Sequence, residues 1–255
     1  MCLIFFSVDN HPVYKMIVAG NRDEFYARKT ASADYWPDHP QILGGRDLEA
    51  GGTWLAMNKN GRISFITNFR DPSHINVHAP TRGKLVSDFV LGNDSPYNYL
   101  KSIESDEKKY NGFNLVTGDD RGFSYLSNYG GETKMLAPGF YGLSNHLLDT
   151  PWPKVTSGKR LLAPVLNQRN IDSHDVFEIL HNELRADDSK LPDTGVPIDL
   201  ERALSSMFIK TPNYGSRCST VVLITHTGEV DFSERVYDPA SDKFTVQNFK
   251  FKIER

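Results

Sequence analysis

The chain places one of its only two cysteines at position 2. Removal of the initiator methionine favours a small second residue, so we expect Cys2 to become the N-terminal residue. An N-terminal Cys carries a thiol and a free amine, with ordinary pKa values of about 8.5 and about 7.7–8.0. Near neutral pH the amine can take the thiol proton, which predicts a nucleophile that carries its own base. The alternative is a small apolar residue packed within a strand.

The apolar run MIVAG ends in the tetrapeptide NRDE, whose polar side chains break the strand pattern. Arg22 has a planar fork of donors that can brace a thiolate or a carboxylate. Asp23 can accept from the amine of Cys2 and hold it in place. Asn21 and Glu24, on either side of this pair, are candidate substrate contacts. The alternative is the end of a strand that enters a solvated loop.

A hairpin would bring these residues to Cys2. The apolar runs at 2–8 and 14–20 have similar lengths and are joined by only five residues, which include Pro12. Such runs separated by a turn signal predict paired antiparallel strands. The end of the second strand then lies level with the start of the first, so Cys2 and the NRDE tetrapeptide are predicted to share one rim.

Three more polar residues lie at strand ends. Asn68 and Asn145 close predicted strands, and Arg217 opens one. An Asn amide can donate to a developing oxyanion. The alternative for each Asn is a turn residue that bonds its own backbone. Their shared position at strand ends favours a common site.

A glycine-rich stretch precedes the strand TWLAM. Residues 28–52 are polar and end in four glycines within nine residues, which predicts a loop. Gly51 and Gly52 either permit a bend or line a pocket floor, so both are candidate substrate contacts. Trp54 is a candidate contact too, although a large aromatic residue at this point also fits a core anchor.

Composition excludes several classes of protein. The net charge of −3 leaves no basic field for nucleic acid. Two cysteines form neither a disulfide framework nor a metal cluster, and the eight histidines show no metal-binding spacing. The apolar run at 2–8 is too short to span a bilayer. We therefore expect a cytoplasmic protein without metal or cofactor, with a small acyl substrate or an apolar ligand as its partner.

The order of the predicted elements indicates the fold. Strand hairpins alternate with two helical blocks, the second of which spans about 153–206. In that block Ser173 is predicted to cap a helix whose apolar stripe includes Leu180 and Leu184. Hairpins joined by tight turns favour antiparallel sheets, which helices then cover on the outside. We predict an α+β, four-layer αββα sandwich that forms a single domain over 1–255.

These motifs resemble a known family. The initial Met-Cys, AGNRDEF, GGTWLAMNKNGR and TNFR are similar to the NRDE family of transport and Golgi organisation protein 2-like proteins. That family resembles the N-terminal-nucleophile hydrolases in layout, which implies the same αββα fold. In function the nearest likeness is to the cysteine acylases of the penicillin V acylase and bile salt hydrolase group. Their catalytic residues match Cys2, Arg22, Asp23, Asn68, Asn145 and Arg217.

One departure from the acylases concerns the second strand. The acylases separate their Arg and Asp by two residues, whereas Arg22 and Asp23 are adjacent. Neighbouring residues of a strand point to opposite faces. The strand is therefore expected to bend at this point, or Glu24 takes the role of Asp23.

Two functions follow as expectations. The first is a cysteine amidohydrolase that acts on a C–N bond of a small acyl amide through a Cys2 thioester, in a pocket lined by aromatic side chains. The second is a non-enzymatic carrier or trafficking protein that uses the same scaffold to bind a lipid, acyl-CoA or haem-like ligand.

Overall fold

The fold consists of two antiparallel sheets covered by helices. The computed structural model describes residues 2–241 and 243–254. The six-stranded sheet has the order β10-β1-β2-β11-β12-β13, with strands β1 Cys2–Val8, β2 Tyr14–Phe25, β10 Gly139–Leu143, β11 Tyr214–Thr225, β12 Glu229–Tyr237 and β13 Phe244–Lys252. The seven-stranded sheet runs in chain order from β3 to β9, with strands β3 Thr30–Trp36, β4 His39–Asp47, β5 Leu55–Asn58, β6 Ile63–Asn68, β7 Phe113–Asp119, β8 Gly122–Ser127 and β9 Lys134–Met135.

The helices form the two outer layers. Their bounds are α1 Gly83–Leu91, α2 Pro96–Glu104, α3 Pro153–Leu166, α4 Ser173–Leu180 and α5 Ile198–Leu204. Buried residues of α1 and α2 pack on the seven-stranded sheet, and those of α3 and α4 pack on the six-stranded sheet. The largest apolar cluster lies between the sheets. The predicted αββα sandwich is confirmed. Within the described ranges, no helix is both long and apolar enough to cross a bilayer.

Strand β1 shows why its sequence is apolar throughout. It lies between β10 and β2 within the sheet, and all seven of its residues are buried. Leu3 and Phe5 pack toward the helices, while Ile4 and Phe6 pack between the sheets. A strand buried on both faces has no polar alternation, since neither side contacts water. Cys2 shares the inter-sheet face with Ile4 and Phe6.

The prediction of a loop over residues 28–52 is wrong, because most of this stretch forms the β3–β4 hairpin. Ala33 and Leu43 are buried in it and join the inter-sheet cluster. Gly44 allows β4 to lie close to β5, since a Cβ there would stand 2.6 Å from the Leu55 carbonyl oxygen. The glycines and polar residues of this stretch therefore belong to a packed hairpin and do not form a loop.

The predicted cap and stripe of α4 also need correction. Ser173 is the first helical residue, and the cap is Asp172, whose side chain accepts a hydrogen bond of 2.9 Å from the backbone N–H of His174. Leu184 is 80% exposed because α4 ends at Leu180. The apolar spacing in the sequence thus continues one turn beyond the helix.

Candidate active site

Cys2 is the first residue of β1 and lies beside Arg22 of β2. The register of β1 and β2 pairs Cys2 with Arg22, and the register of β2 and β11 pairs Arg22 with Cys218. Arg22 therefore lies between the two cysteines of the chain on three adjacent strands. The hairpin predicted from the sequence brings Cys2 and the NRDE tetrapeptide together as expected.

Asn145 and Asn68 approach Cys2 from the other side. The register of β1 and β10 pairs Ile4 with Leu143, so its continuation places Asn145 level with Cys2. The side-chain amide of Asn145 donates a hydrogen bond of 3.0 Å to the backbone carbonyl of Asn68. The two asparagines are therefore neighbours although they come from different sheets.

A cavity of about 480 Å³ opens beside Cys2. The sequence-predicted site residues that line it are Cys2, Arg22, Asp23, Glu24, Trp54, Asn68 and Arg217. Asn145 is fully buried and lies behind Asn68 rather than on the cavity wall. Most of the predicted residues thus share one concave space, as a ligand site requires.

The pKa of the Cys2 thiol is raised overall, by influences that act in opposite directions. Burial raises its pKa most, and the Asp23 carboxylate raises it further. The Arg22 guanidinium lowers this pKa, as does a hydrogen bond that the backbone N–H of Asp23 donates to the sulfur. A cation and an N–H donor at the sulfur are the groups that favour a thiolate.

Arg22 and Asp23 lie on opposite faces of the sheet, as neighbours in an uninterrupted strand do, and Arg22 shares the inter-sheet face of Cys2. Strand β2 continues to Phe25, and the irregularity lies in β11, where Arg217 is the extra residue of a bulge. The Asp23 carboxylate lies on the helix side and accepts a hydrogen bond of 2.6 Å from the Ser216 hydroxyl. Burial raises the pKa of Asp23, against the effects of nearby cations.

Glu24 lies among arginines rather than against Cys2. Its carboxylate is 3.7 Å from an Arg22 nitrogen and 3.9 Å from Arg28 Nε. The bulged Arg217 donates from Nη1 to the carbonyl of Phe25, at 2.9 Å, and to two further carbonyls of the loop after β2. Arg217 therefore fixes this loop at the cavity edge.

Asn21 does not line the cavity, so its expected contact with a substrate is not supported by its position. Its amide donates hydrogen bonds of 2.9 and 2.8 Å to the carbonyls of Leu180 and Met207. Its side-chain oxygen accepts from the Ser219 hydroxyl at 2.6 Å. Asn21 is fully buried on the helix side, where it joins the sheet to the end of α4.

Gly51 and Gly52 also lie off the cavity wall, which Ala50 and Thr53 form on either side of them. A Cβ on Gly52 would stand 2.4 Å from the carbonyl carbon of Gly83 at the start of α1. Gly52 therefore permits close contact between two backbones, a structural role. Trp54 both lines the cavity and belongs to the inter-sheet cluster.

Gly52→Ala is expected to lower the free energy of unfolding by about 3 kcal/mol, because rigid backbone atoms occupy the space of the new methyl. Gly51→Ala is the matched control: its methyl meets nothing within 4 Å, but φ is +77°. That left-handed backbone costs an Ala about 1 kcal/mol. Urea unfolding of both variants measures the difference, and equal effects would contradict the role given to Gly52.

The cavity wall is rich in charge, unlike the expected aromatic pocket. Among described residues it carries five arginines and a single aromatic side chain, Trp54; the arginines are Arg22, Arg28, Arg46, Arg82 and Arg217. Arg28 contacts Asp47 at 2.6 Å, and Arg46 contacts Asp38 at 2.5 Å. Arg82 donates to the Gly112 carbonyl at 2.7 Å.

Sequence reasoning missed Glu234 and Arg82 in this wall. Glu234 is buried, and its carboxylate accepts from the Ala33 N–H at 2.6 Å and from the Thr220 hydroxyl at 3.0 Å. The pair Glu-Arg inside the apolar strand DFSERVY is a signal that could have singled it out. Arg82 precedes α1 in an ordinary polar segment and carries no such signal.

Cys218 faces the same cavity with different chemistry. Burial, followed by the Glu234 carboxylate, raises the pKa of its thiol well above the ordinary value. A thiol held protonated in this way is a poor nucleophile.

Within residues 2–241 and 243–254, no group of His, Cys, Asp and Glu side chains could hold a metal ion.

Comparison with known proteins gives relatives along the whole chain. A bovine (Bos taurus) Transport and Golgi organization protein 2 homolog is 37% identical over 99% of this chain and 100% of its own length. The human (Homo sapiens) homolog is 34% identical, with both chains covered completely. These names describe a cellular process and no reaction.

Among solved structures, a Caenorhabditis elegans N-acylethanolamine-hydrolyzing acid amidase ortholog matches with a TM-score of 0.50 at 11% identity, over 87% of this chain and 92% of that one. A mutant conjugated bile acid hydrolase from Clostridium perfringens matches with a TM-score of 0.43 at 10% identity, over 100% and 97% of the two chains. At such identities the amidase shows the fold alone.

The family follows from the sequence match. The sequence model of Transport and Golgi organisation 2 covers residues 1–239. This match includes the initial Met-Cys, the NRDE tetrapeptide and the cavity residues of β11 and β12. The predicted resemblance is thus confirmed, and the chain belongs to the Transport and Golgi organisation 2 family.

Proposed function

We propose that the chain is an N-terminal-nucleophile cysteine amidohydrolase that acts on an acyl amide. The observation that carries this proposal is the position of Cys2, which is paired with Arg22 in the register of β1 and β2 and lines an open cavity. This cavity is thus lined by the residue that becomes N-terminal when Met1 is removed. Met1 itself lies outside the described residues.

In the proposed first step, the Cys2 amine takes the thiol proton, and the thiolate attacks the carbonyl carbon of the amide. The carbonyl oxygen becomes an oxyanion. Asn68, on the cavity wall, is proposed to donate a hydrogen bond to this oxyanion, and Asn145 is proposed to support the oxyanion site from behind Asn68. The C–N bond then breaks. The leaving amine takes the proton from the Cys2 ammonium, and the acyl group stays on the sulfur as a thioester.

In the second step, water attacks the thioester carbonyl while the Cys2 amine accepts a proton from the water. The C–S bond breaks, the thiolate recovers that proton, and the carboxylic acid leaves. Arg22 favours the thiolate in both steps, and Asp23 holds the amine. Arg217 keeps the loop after β2 in place. The name of the amidase that shares the fold supports the reaction class, hydrolysis of an N-acyl amide.

The proposal predicts an acyl-enzyme on Cys2. The full chain is released from an N-terminal fusion so that Cys2 is the first residue, and it is mixed with p-nitrophenyl decanoate. We expect a decanoyl group on the N-terminal peptide by mass spectrometry, which hydroxylamine removes as it does other thioesters. A protein that keeps Met1 is the control, and it is expected to remain unacylated at this position because its amine is displaced. Equal acylation of both proteins would contradict the mechanism.

A carrier remains the second candidate, and the arginines of the cavity favour it. Arg82 and Arg217 donate to backbone carbonyls, so their charges are left for a ligand. A lipid, acyl-CoA or haem-like ligand with anionic oxygens would suit them. Native mass spectrometry of Cys2→Ala protein from its own host tests this candidate: a copurified anionic ligand supports a carrier, provided that the unmodified protein also forms no acyl-enzyme.

A further inference from the structure

Lys154 is a buried lysine that the steps above do not use. It is 2% exposed and is the second residue of α3, which follows Trp152. In the described part of the chain, its Nζ donates no hydrogen bond to any side chain or carbonyl. The start of a helix carries partial positive charge, so a cation is disfavoured there as well. Burial of an unpaired charge lowers the stability of the fold, so we expect Lys154 to have a function that explains its presence.

The charged groups around Lys154 come from four elements. They are Asp23 in β2, Arg70 after β6, Cys2 in β1 and Glu201 in α5. Arg70 and Glu201 already form an ion pair of 2.7 Å, in which both side chains are at most 6% exposed. Of the two carboxylates near Lys154, Asp23 is therefore the one that can interact with its ammonium group. Burial lowers the pKa of Lys154 to about 8.

We propose that Lys154 is a positioning residue, which engages the Asp23 carboxylate and thereby keeps the Cys2 amine neutral and available as a base. This inference rests on the proposed function, because it concerns the base of that mechanism. Its carrying observation is the burial of the unpartnered Lys154 ammonium at the start of α3, a helix that packs on the same side of the six-stranded sheet as the Asp23 carboxylate.

The electrostatic reason involves three groups. Without Lys154, the Asp23 carboxylate would favour the ammonium form of the Cys2 amine, which cannot accept the thiol proton. With Lys154 present, Asp23 faces two amino groups and can balance the charge of only one. The α-amine has the lower ordinary pKa, about 7.7–8.0 against about 10.4, so it gives up its proton first. A neutral amine beside the thiol is the form that catalysis requires.

Lys154→Met is expected to make Cys2 harder to activate, since removal of a buried cation raises the pKa of both the amine and the thiol. The measurement is the rate at which iodoacetamide alkylates the N-terminal peptide at different pH values, in protein whose first residue is Cys2. We expect the midpoint of this profile to rise by about one pH unit, which is about tenfold slower alkylation near neutral pH.

Lys159→Met is the matched control. Lys159 lies on the same helix but forms a surface ion pair of 2.7 Å with Asp149, and the charge change is identical. We expect its midpoint to match that of the unmodified protein. An equal shift in both variants, or an unchanged profile in Lys154→Met, would overturn the proposal. If Lys154→Met does not fold, Lys154→Gln takes its place.

A double-mutant cycle tests whether Lys154 acts through Asp23. In an Asp23→Asn background, Lys154→Met is expected to shift the midpoint by less than half of its effect alone, whereas full additivity would contradict the inference. Alkylation needs no substrate, so this outcome is independent of amide hydrolysis. A chain that hydrolyses no amide would refute the proposed function, while the alkylation profiles would still decide the role of Lys154.

Discussion

Cys2→Ala is expected to lower the rate of amide hydrolysis by at least about a thousandfold, since loss of a nucleophile removes the covalent route entirely. The substitution removes one sulfur from the cavity wall and no element of the sheet, so the fold is expected to persist. Turnover of N-acyl amides with decanoyl chains, measured by release of the free amine, gives the rate, and circular dichroism confirms the fold.

Two further variants make this prediction specific. Cys2→Ser is expected to keep the fold and to retain only slow turnover, because a hydroxyl is much harder to deprotonate than a thiol. Cys218→Ala alters the other cysteine beside Arg22. Because the Cys218 thiol is held protonated by burial, we expect its loss to change the rate by less than about tenfold. Full activity of Cys2→Ala would refute the thioester mechanism.

Glu201→Gln is expected to lower the free energy of unfolding by about 3–5 kcal/mol, because it leaves the Arg70 cation buried without its counter-charge. Glu201 contacts Arg70 at 2.7 Å and also accepts hydrogen bonds from the N–H and the hydroxyl of Thr194. Arg70 stacks on the Trp152 ring at 4.9 Å. The ion pair thus joins α5 to the start of α3 and to the segment after β6.

Asp188→Asn is the control for this substitution. Asp188 forms an ion pair of 2.6 Å with Arg202, but its side chain is 58% exposed. Surface ion pairs contribute about 0–1 kcal/mol, so a small change is expected. Urea unfolding measures both variants. Comparable losses would contradict the importance assigned to burial, and a loss below about 1 kcal/mol for Glu201→Gln would show that Arg70 finds another partner.

The Arg70–Glu201 pair also bears on the candidate site. The backbone N–H of Arg70 donates a hydrogen bond of 2.8 Å to the Asn145 carbonyl, and the Asn145 amide donates to the Asn68 carbonyl. Any shift of Arg70 would therefore reach the two residues proposed for the oxyanion. We expect amide hydrolysis to fall in Glu201→Gln even at temperatures where the variant is folded.

The layers of the fold could be predicted because their signals are local. Apolar runs of five to seven residues joined by tight turns require antiparallel pairing, and helical spacing of Leu85, Phe89 and Val90 requires a covered face. The β3–β4 hairpin escaped prediction because its burial depends on a glycine contact with β5, which no local pattern reports.

For the candidate site, the sequence by itself determined that Cys2 and the NRDE tetrapeptide lie at one rim, since apolar runs of similar length joined by five residues favour a hairpin that brings their outer ends together. Only the tertiary structure decided which face each polar residue occupies. The Arg22 side chain shares the inter-sheet face of Cys2, whereas the side chains of Asn21 and Asp23 lie on the helix side, although Asp23 also borders the cavity.

The same limit explains Lys154, Arg82 and Glu234. Each belongs to a separate element. Lys154 and Arg82 carry no local pattern that distinguishes them from solvated surface charges, whereas Glu234 has only its position within the apolar strand DFSERVY. Their burial arises when α3, the start of α1 and β12 pack against the strands that bear Cys2 and Arg22. Periodicity in a sequence reports which side of its own element a residue occupies, while the electrostatic field at a thiol is a sum over groups brought close by long-range packing.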